Sequence, residues 1–141
     1  MFPQLFVVIS LAALLSFSEA LLGIGRSQTI DVQGSLTCDG KPATGVLVKL
    51  YDSNSLMWDN LLGQTNSNSS GQFSMTGKIH DITTMDPKVD IFTRCHVGAV
   101  RCSRKIVVKV PHSAIDNGNA YSIGQIELAN KYPGESHDCI H

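Results

Sequence analysis

Short runs of alternating apolar and polar residues, each closed by glycine, proline, asparagine or aspartate, recur along this chain and leave room for little but β-structure. From Thr29 to Thr37, Ile30, Val32 and Leu36 fall on one face, and Asp31, Gln33, Ser35 and Thr37 on the other. That is the period of a half-buried strand. Cys38-Asp39-Gly40-Lys41-Pro42 follows as a turn, since Asp-Gly tolerates positive φ and proline fixes its own. Gly45 to Asp52 repeats the pattern, with Val46, Val48 and Leu50 opposite Leu47, Lys49 and Tyr51. Shorter strands are expected over Leu61–Thr65 and Gln72–Gly77, around the turn Asn66-Ser67-Asn68-Ser69-Ser70-Gly71. Beyond Pro87, Val89, Ile91 and Thr93 alternate with Asp90, Phe92 and Arg94; from Ser103, Ile106, Val108 and Val110 alternate with Lys105, Val107 and Lys109. A last strand runs from Ala120 to Leu128, where Ile123 and Ile126 share a face only if Gly124 marks a bulge. Gly77 to Asp86 has no clear period and reads as a crossing loop or one helical turn. The fold class is all-β: an antiparallel sandwich of about seven strands.

At 141 residues the chain has length for one domain. Met1 to Leu22 is nearly uncharged, with an apolar run from Leu5 to Leu15 that is short for a membrane span and suits a signal-peptide core. Ser18-Glu19-Ala20 places small residues at the two sites a signal peptidase reads, so cleavage is expected after Ala20. The expected organisation is a leader over 1–20, a flexible lead-in over 21–28, and one domain over 29–141 with a tail from about 129. The expected location is extracellular. Glu19 leaves with the leader, so eleven acids then balance eleven bases. A dedicated nucleic-acid binder needs a basic field that this chain lacks.

All four cysteines, Cys38, Cys95, Cys102 and Cys139, follow the leader. An even count in an exported chain reads as two disulfides. Three pairings are possible. The favoured one joins Cys95 to Cys102 across a short hairpin, and Cys38 to Cys139 at the tail.

Catalytic patterns are missing: there is no Gly-x-Ser-x-Gly, His-Glu-x-x-His, Cys-x-x-Cys or phosphate-binding loop. Asp52-Ser53-Asn54 opens like a calcium loop, but Leu56 and Met57 stand where a ligand and the turn glycine belong. His137, Cys139 and His141 have metal-ligand spacing, yet a disulfide at Cys139 removes the thiolate and leaves a disordered tail as the expectation. No metal or cofactor is therefore expected. Arg94, Arg101, Arg104 and Lys105 flank Val97-Gly98-Ala99-Val100. If this hairpin projects, it offers a basic tip with an apolar centre for anionic head groups. Trp58, the sole tryptophan, lies in a polar loop and is either a surface contact or a lid over the sandwich end. Asn68-Ser69-Ser70 is an acceptor sequence for N-glycosylation in a hairpin turn.

Gly40-Lys41-Pro42-Ala43, Val46-Leu47-Val48-Lys49-Leu50-Tyr51-Asp52 and Gly71-Gln72-Phe73 resemble the transthyretin-like, or prealbumin-like, sandwich. Leu22-Gly23-Ile24-Gly25-Arg26, Cys38-Asp39-Gly40-Lys41-Pro42-Ala43, Thr84-Met85-Asp86-Pro87, Arg104-Lys105 and Tyr132-Pro133-Gly134-Glu135-Ser136-His137-Asp138-Cys139 narrow the resemblance to the nematode transthyretin-like family. It spans nearly the whole mature chain. The resemblance implies a secreted two-sheet sandwich, and only loosely a function: carriage of a small apolar ligand or lipid, or recognition of cell surfaces. The sister branch of the fold, 5-hydroxyisourate hydrolase, needs a first-strand histidine, an arginine, a second histidine and a terminal Tyr-Arg-Gly-Ser. Here the first strand reads Ile30-Asp31-Val32-Gln33-Gly34-Ser35 and the chain ends Asp138-Cys139-Ile140-His141, so that activity is not expected. The expectation is a non-enzymatic binding protein for a small apolar ligand. The alternative is a module that meets anionic phospholipid or a cell-surface protein through residues 94–105.

Overall fold

A computed structural model describes residues 25–54, 58–99 and 102–141. The expected leader and the first part of the lead-in, together with Arg101 of the basic hairpin, lie outside the described residues. The seven expected strands are present as β1 (Arg26–Cys38), β3 (Leu47–Asp52), β4 (Asn60–Asn66), β5 (Gln72–Asp81), β6 (Pro87–Thr93), β7 (Ser103–Lys109) and β8 (Tyr121–Glu127). Two short ones join them, β2 (Lys41–Pro42) and β9 (Ser136–Asp138), with a single 3-10 turn at His112–Ala114. β1 begins at Arg26, so the last residues assigned to the lead-in already pair with β5.

The first sheet places β1 between β5 and β8, with β2 folding back on the end of β1. The second runs β4-β3-β6-β7-β9. All pairings are antiparallel except β1 with β8, which is parallel because the chain crosses between sheets before β8. Alternation placed the core well: Ile30, Val32, Leu36, Val48, Leu50, Val89, Ile91 and Ile106 are each at most 1% exposed between the sheets. Burying each side chain of this size contributes roughly 1.5–3 kcal/mol. The bulge falls where Gly124 stands, because Gln33 pairs with Ser122 but Ser35 with Gln125. Gly124 has φ +79° there, a conformation that suits glycine.

β6 departs from its alternating pattern. Asp90 and Phe92, on the face away from the core, are also buried, at 3% and 6% exposure. The cover over Phe92 comes from the C-terminal segment, expected to be disordered: β9 pairs with β7, and His141 stacks on Phe92 with ring centroids 5.1 Å apart. The disulfides differ from the favoured pairing as well. Cys38 bonds Cys95, and Cys102 bonds Cys139. Ser103 stands opposite Asp138, so Cys102 and Cys139 occupy the next opposed positions of that ladder. The β6–β7 ladder ends at Thr93 and Arg104, where the Cys95 N–H turns onto Thr93 Oγ1 and carries Cys95 to the end of β1.

Candidate functional site

The basic hairpin does not gather its cations. Arg104 is 5% exposed, and its guanidinium is turned into the protein. Nε and Nη2 donate to the two Glu135 carboxylate oxygens at 3.0 and 2.8 Å. Nη1 donates to the carbonyls of Cys95 and Leu128 at 2.9 and 2.6 Å, and Nη2 to that of Asn130 at 2.8 Å. These five bonds use all the donors a guanidinium has, so Arg104 ties β7 to the C-terminal segment and is withdrawn from any surface contact. The hydrogen bond from Arg104 holds the Glu135 carboxyl below its ordinary range. Lys105 is half-buried, Arg94 is exposed, and Val97, from the expected apolar centre, is buried. His96 pairs with Asp39 at 2.8 Å, so the hairpin end is held to the β1–β2 turn beside the Cys38–Cys95 bond. The cluster Cys38, Cys95 and His96 has metal-like spacing, but both sulfurs are in the disulfide and coordinate nothing.

The opposite end of the sandwich presents a different surface. β4 begins and β5 ends there, because the two strands are joined by the tight Ser67–Gly71 turn at the other end. Trp58 is 72% exposed, Ile82 70% and Leu61 47%. Trp58 is thus a surface residue and not a lid. Its neighbour Asp59 is fixed by Lys88 at 2.6 Å. The loop carrying Ile82 is fixed from below by Gln28, a fully buried amide. Gln28 Nε2 donates to the Thr83 carbonyl at 2.8 Å, and Gln28 Oε1 accepts the Met85 N–H at 2.7 Å. Asp52, which opened the calcium-like motif, spends Oδ1 on the N–H groups of Asn54 and Asp86 at 2.9 Å each. Its role is to pin these loops. Sequence reasoning found Trp58 but missed Ile82, whose signal was an isolated isoleucine among Asp81, Thr83 and Thr84 in the stretch without a period.

A buried carboxyl lies on the outer face of the second sheet. Asp90 is pushed up by burial, a shift that the ammonium groups of Lys88 and Lys105 only partly offset. Among the described residues, Asp90 Oδ1 has no hydrogen-bond partner. A raised carboxyl pKa means the folded state binds the proton more tightly than the unfolded chain, so the ionised form opposes folding above the folded pKa. Asp90→Asn is therefore expected to raise the urea midpoint at pH 7 and to leave it unchanged near pH 3. A lower midpoint at pH 7 would show that the lysines more than compensate the burial.

Asn68 stands in the exposed turn as expected, with Oδ1 accepting the N–H groups of Ser70 and Gln72 at 3.0 and 2.9 Å. Beside it, on the outer face of the first sheet, lies a concavity of about 700 Å³. Among the described residues, no helix is long and apolar enough to cross a membrane.

Comparison with known proteins agrees with this architecture. The model of the transthyretin-like family matches residues 33–111. Transthyretin-like protein 5 of Caenorhabditis elegans is 42% identical over 139 residues, covering 95% of this chain and 99% of that protein. Transthyretin-like protein 2 of the same organism is 38% identical over 127 residues, covering 83% and 86%. Transthyretin-like protein 1 is 38% identical over 130 residues, covering 84% and 83%. With a two-sheet sandwich, a family match over more than half its length and relatives this similar from end to end, the chain belongs to the transthyretin-like family.

Proposed function

We propose that this protein is an exported, non-enzymatic recognition module that docks reversibly on a lipid surface through the pole formed by Trp58, Leu61 and Ile82. The observation that carries the reading is the exposure of three large apolar side chains at one end of the sandwich, on loops pinned from beneath. Such a patch marks an interaction site. Tryptophan in particular favours the head-group level of a bilayer. Three side chains at roughly 1.5–3 kcal/mol each give attachment that remains reversible.

The surroundings bear both signs of charge: Arg26 and Lys78 against Asp59, Asp81 and Asp86. Attachment is therefore driven by apolar contact and depends little on salt. A basic hairpin would give the opposite dependence, and Arg104 is unavailable to it. The alternative of an apolar cargo gains nothing from the 700 Å³ concavity, whose lining is polar.

Co-sedimentation with phosphatidylcholine vesicles tests the proposal. The wild type is expected to pellet with them at both low and high salt, and the Trp58→Ser/Ile82→Ser double variant to lose at least about tenfold in partitioning. Binding confined to anionic vesicles and abolished by salt, or equal binding by the double variant, would overturn it.

A further inference from the structure

The concavity on the outer face of the first sheet has a chemistry distinct from the apolar pole. Nine of its twelve lining residues carry an amide or a hydroxyl, and none is ionisable. The strand register makes this a pattern. Gln33 of β1 stands between Ser74 of β5 and Ser122 of β8, while Ser35 stands between Gln72 and Gln125. Amides and hydroxyls thus alternate across three strands. The bulge at Gly124 keeps the site open, since nothing lies within 4 Å of where a Cβ would be. Few of these groups are engaged internally: Ser122 Oγ accepts the Gly124 N–H, and Asn68 Oδ1 accepts two turn N–H groups. Among the described residues, the side-chain amides of Gln33, Gln72 and Gln125 have no protein partner.

We infer that this concavity is a binding site for a neutral saccharide, free or carried on a glycan. A phosphate or carboxylate would find no cation in the lining, and an ammonium no carboxylate. An apolar guest would strip water from nine polar groups and return no hydrogen bonds. A sugar hydroxyl both donates and accepts, and a carboxamide offers one donor group and one acceptor in a single plane. Alternating amides and hydroxyls therefore match vicinal hydroxyls and N-acetyl groups. The inference stands apart from the lipid-docking pole, at the other side of the molecule's chemistry and with its own variants.

The test uses the full secreted chain carrying Ser70→Ala, which removes the Asn68-Ser69-Ser70 acceptor sequence without altering the lining. Side-chain amide resonances are followed by NMR during titration with di-N-acetylchitobiose, maltose, inorganic phosphate and a blocked neutral dipeptide. Saturable shifts at Gln33, Gln72 and Gln125 are expected with at least one saccharide. Gln33→Ala and Gln125→Ala should each weaken that response at least about tenfold with the melting temperature unchanged. No saturable saccharide response, an equal response to phosphate or the dipeptide, or unaltered affinity in both variants would overturn the inference. The chain with Ser70 restored separates the two sources. Groove resonances already at their saturated positions identify a glycan on Asn68 as the occupant, and resonances that still titrate identify a free or partner-borne sugar; either supports the site.

Discussion

Arg104→Ala is expected to lower the unfolding free energy by about 3–5 kcal/mol, the range for breaking a buried ion pair from one side. The substitution leaves the Glu135 carboxylate and the carbonyls of Cys95, Leu128 and Asn130 without their donor. Arg104→Lys should recover only part of the loss, because one ammonium has three donors and no planar fork to reach four acceptor groups. Urea unfolding of the three proteins at pH 7 measures this, and a loss below about 1 kcal/mol for the alanine variant would contradict the assigned role. The pair also has a pH signature. The Glu135 carboxyl is lowered on folding, so between its folded pKa and the ordinary carboxylate value near 4.3 the unfolded chain binds more protons. The stabilisation is complete above that ordinary value and is lost as pH falls through the folded pKa. Arg104→Ala should therefore differ less from the wild type in acid than at pH 7.

Removing the Cys38–Cys95 bond as a double serine variant is expected to cost about 4 kcal/mol on the chain-entropy account of its loop, whose ends are 57 residues apart. The bond joins β1 of one sheet to the end of β6 in the other, so its loss loosens the whole sandwich. Cys102–Cys139 spans 37 residues, and the same account gives it a similar unfolded-state effect. Its native partner is a three-residue edge strand, however, so the reduced chain can release β9 and His141 while the sheets persist. Hydrogen exchange should show global acceleration for Cys38→Ser/Cys95→Ser and acceleration confined to β7 and β9 for Cys102→Ser/Cys139→Ser. Equal global effects would contradict this division between a staple through the sandwich and a local clasp.

The same features divide what the sequence made legible from what it did not. β1 and β3 were readable because one face of each meets the core and the other meets water, so period two survives in the residues. The period of β6 was readable too, but the burial of Phe92 was not, because it is owed to a segment some fifty residues later in the chain that local alternation has no knowledge of. Arg104 read as exposed because it sits in a row of cations; its acceptors come from three separate segments. The favoured Cys95–Cys102 bond assumed that cysteines near in sequence are near in space. The left-handed backbone at His96, φ +58°, lies just past Cys95 as the chain turns away from that partner. Trp58 was legible as a candidate contact residue by its type alone, but Ile82 joined it only once β4 and β5 were seen to share an end. The amide-and-hydroxyl face was present in the alternation all along. Its meaning needed the parallel β8 beside β1, which no local pattern specifies.

The emission spectrum of Trp58 on addition of phosphatidylcholine vesicles tests the central functional claim most directly, since the chain has one tryptophan and the signal has one source. The account predicts a shift to shorter wavelength that persists at high salt and is lost in Ile82→Ser. An unchanged spectrum at saturating lipid, from a protein whose tryptophan is 72% exposed when free, would contradict it.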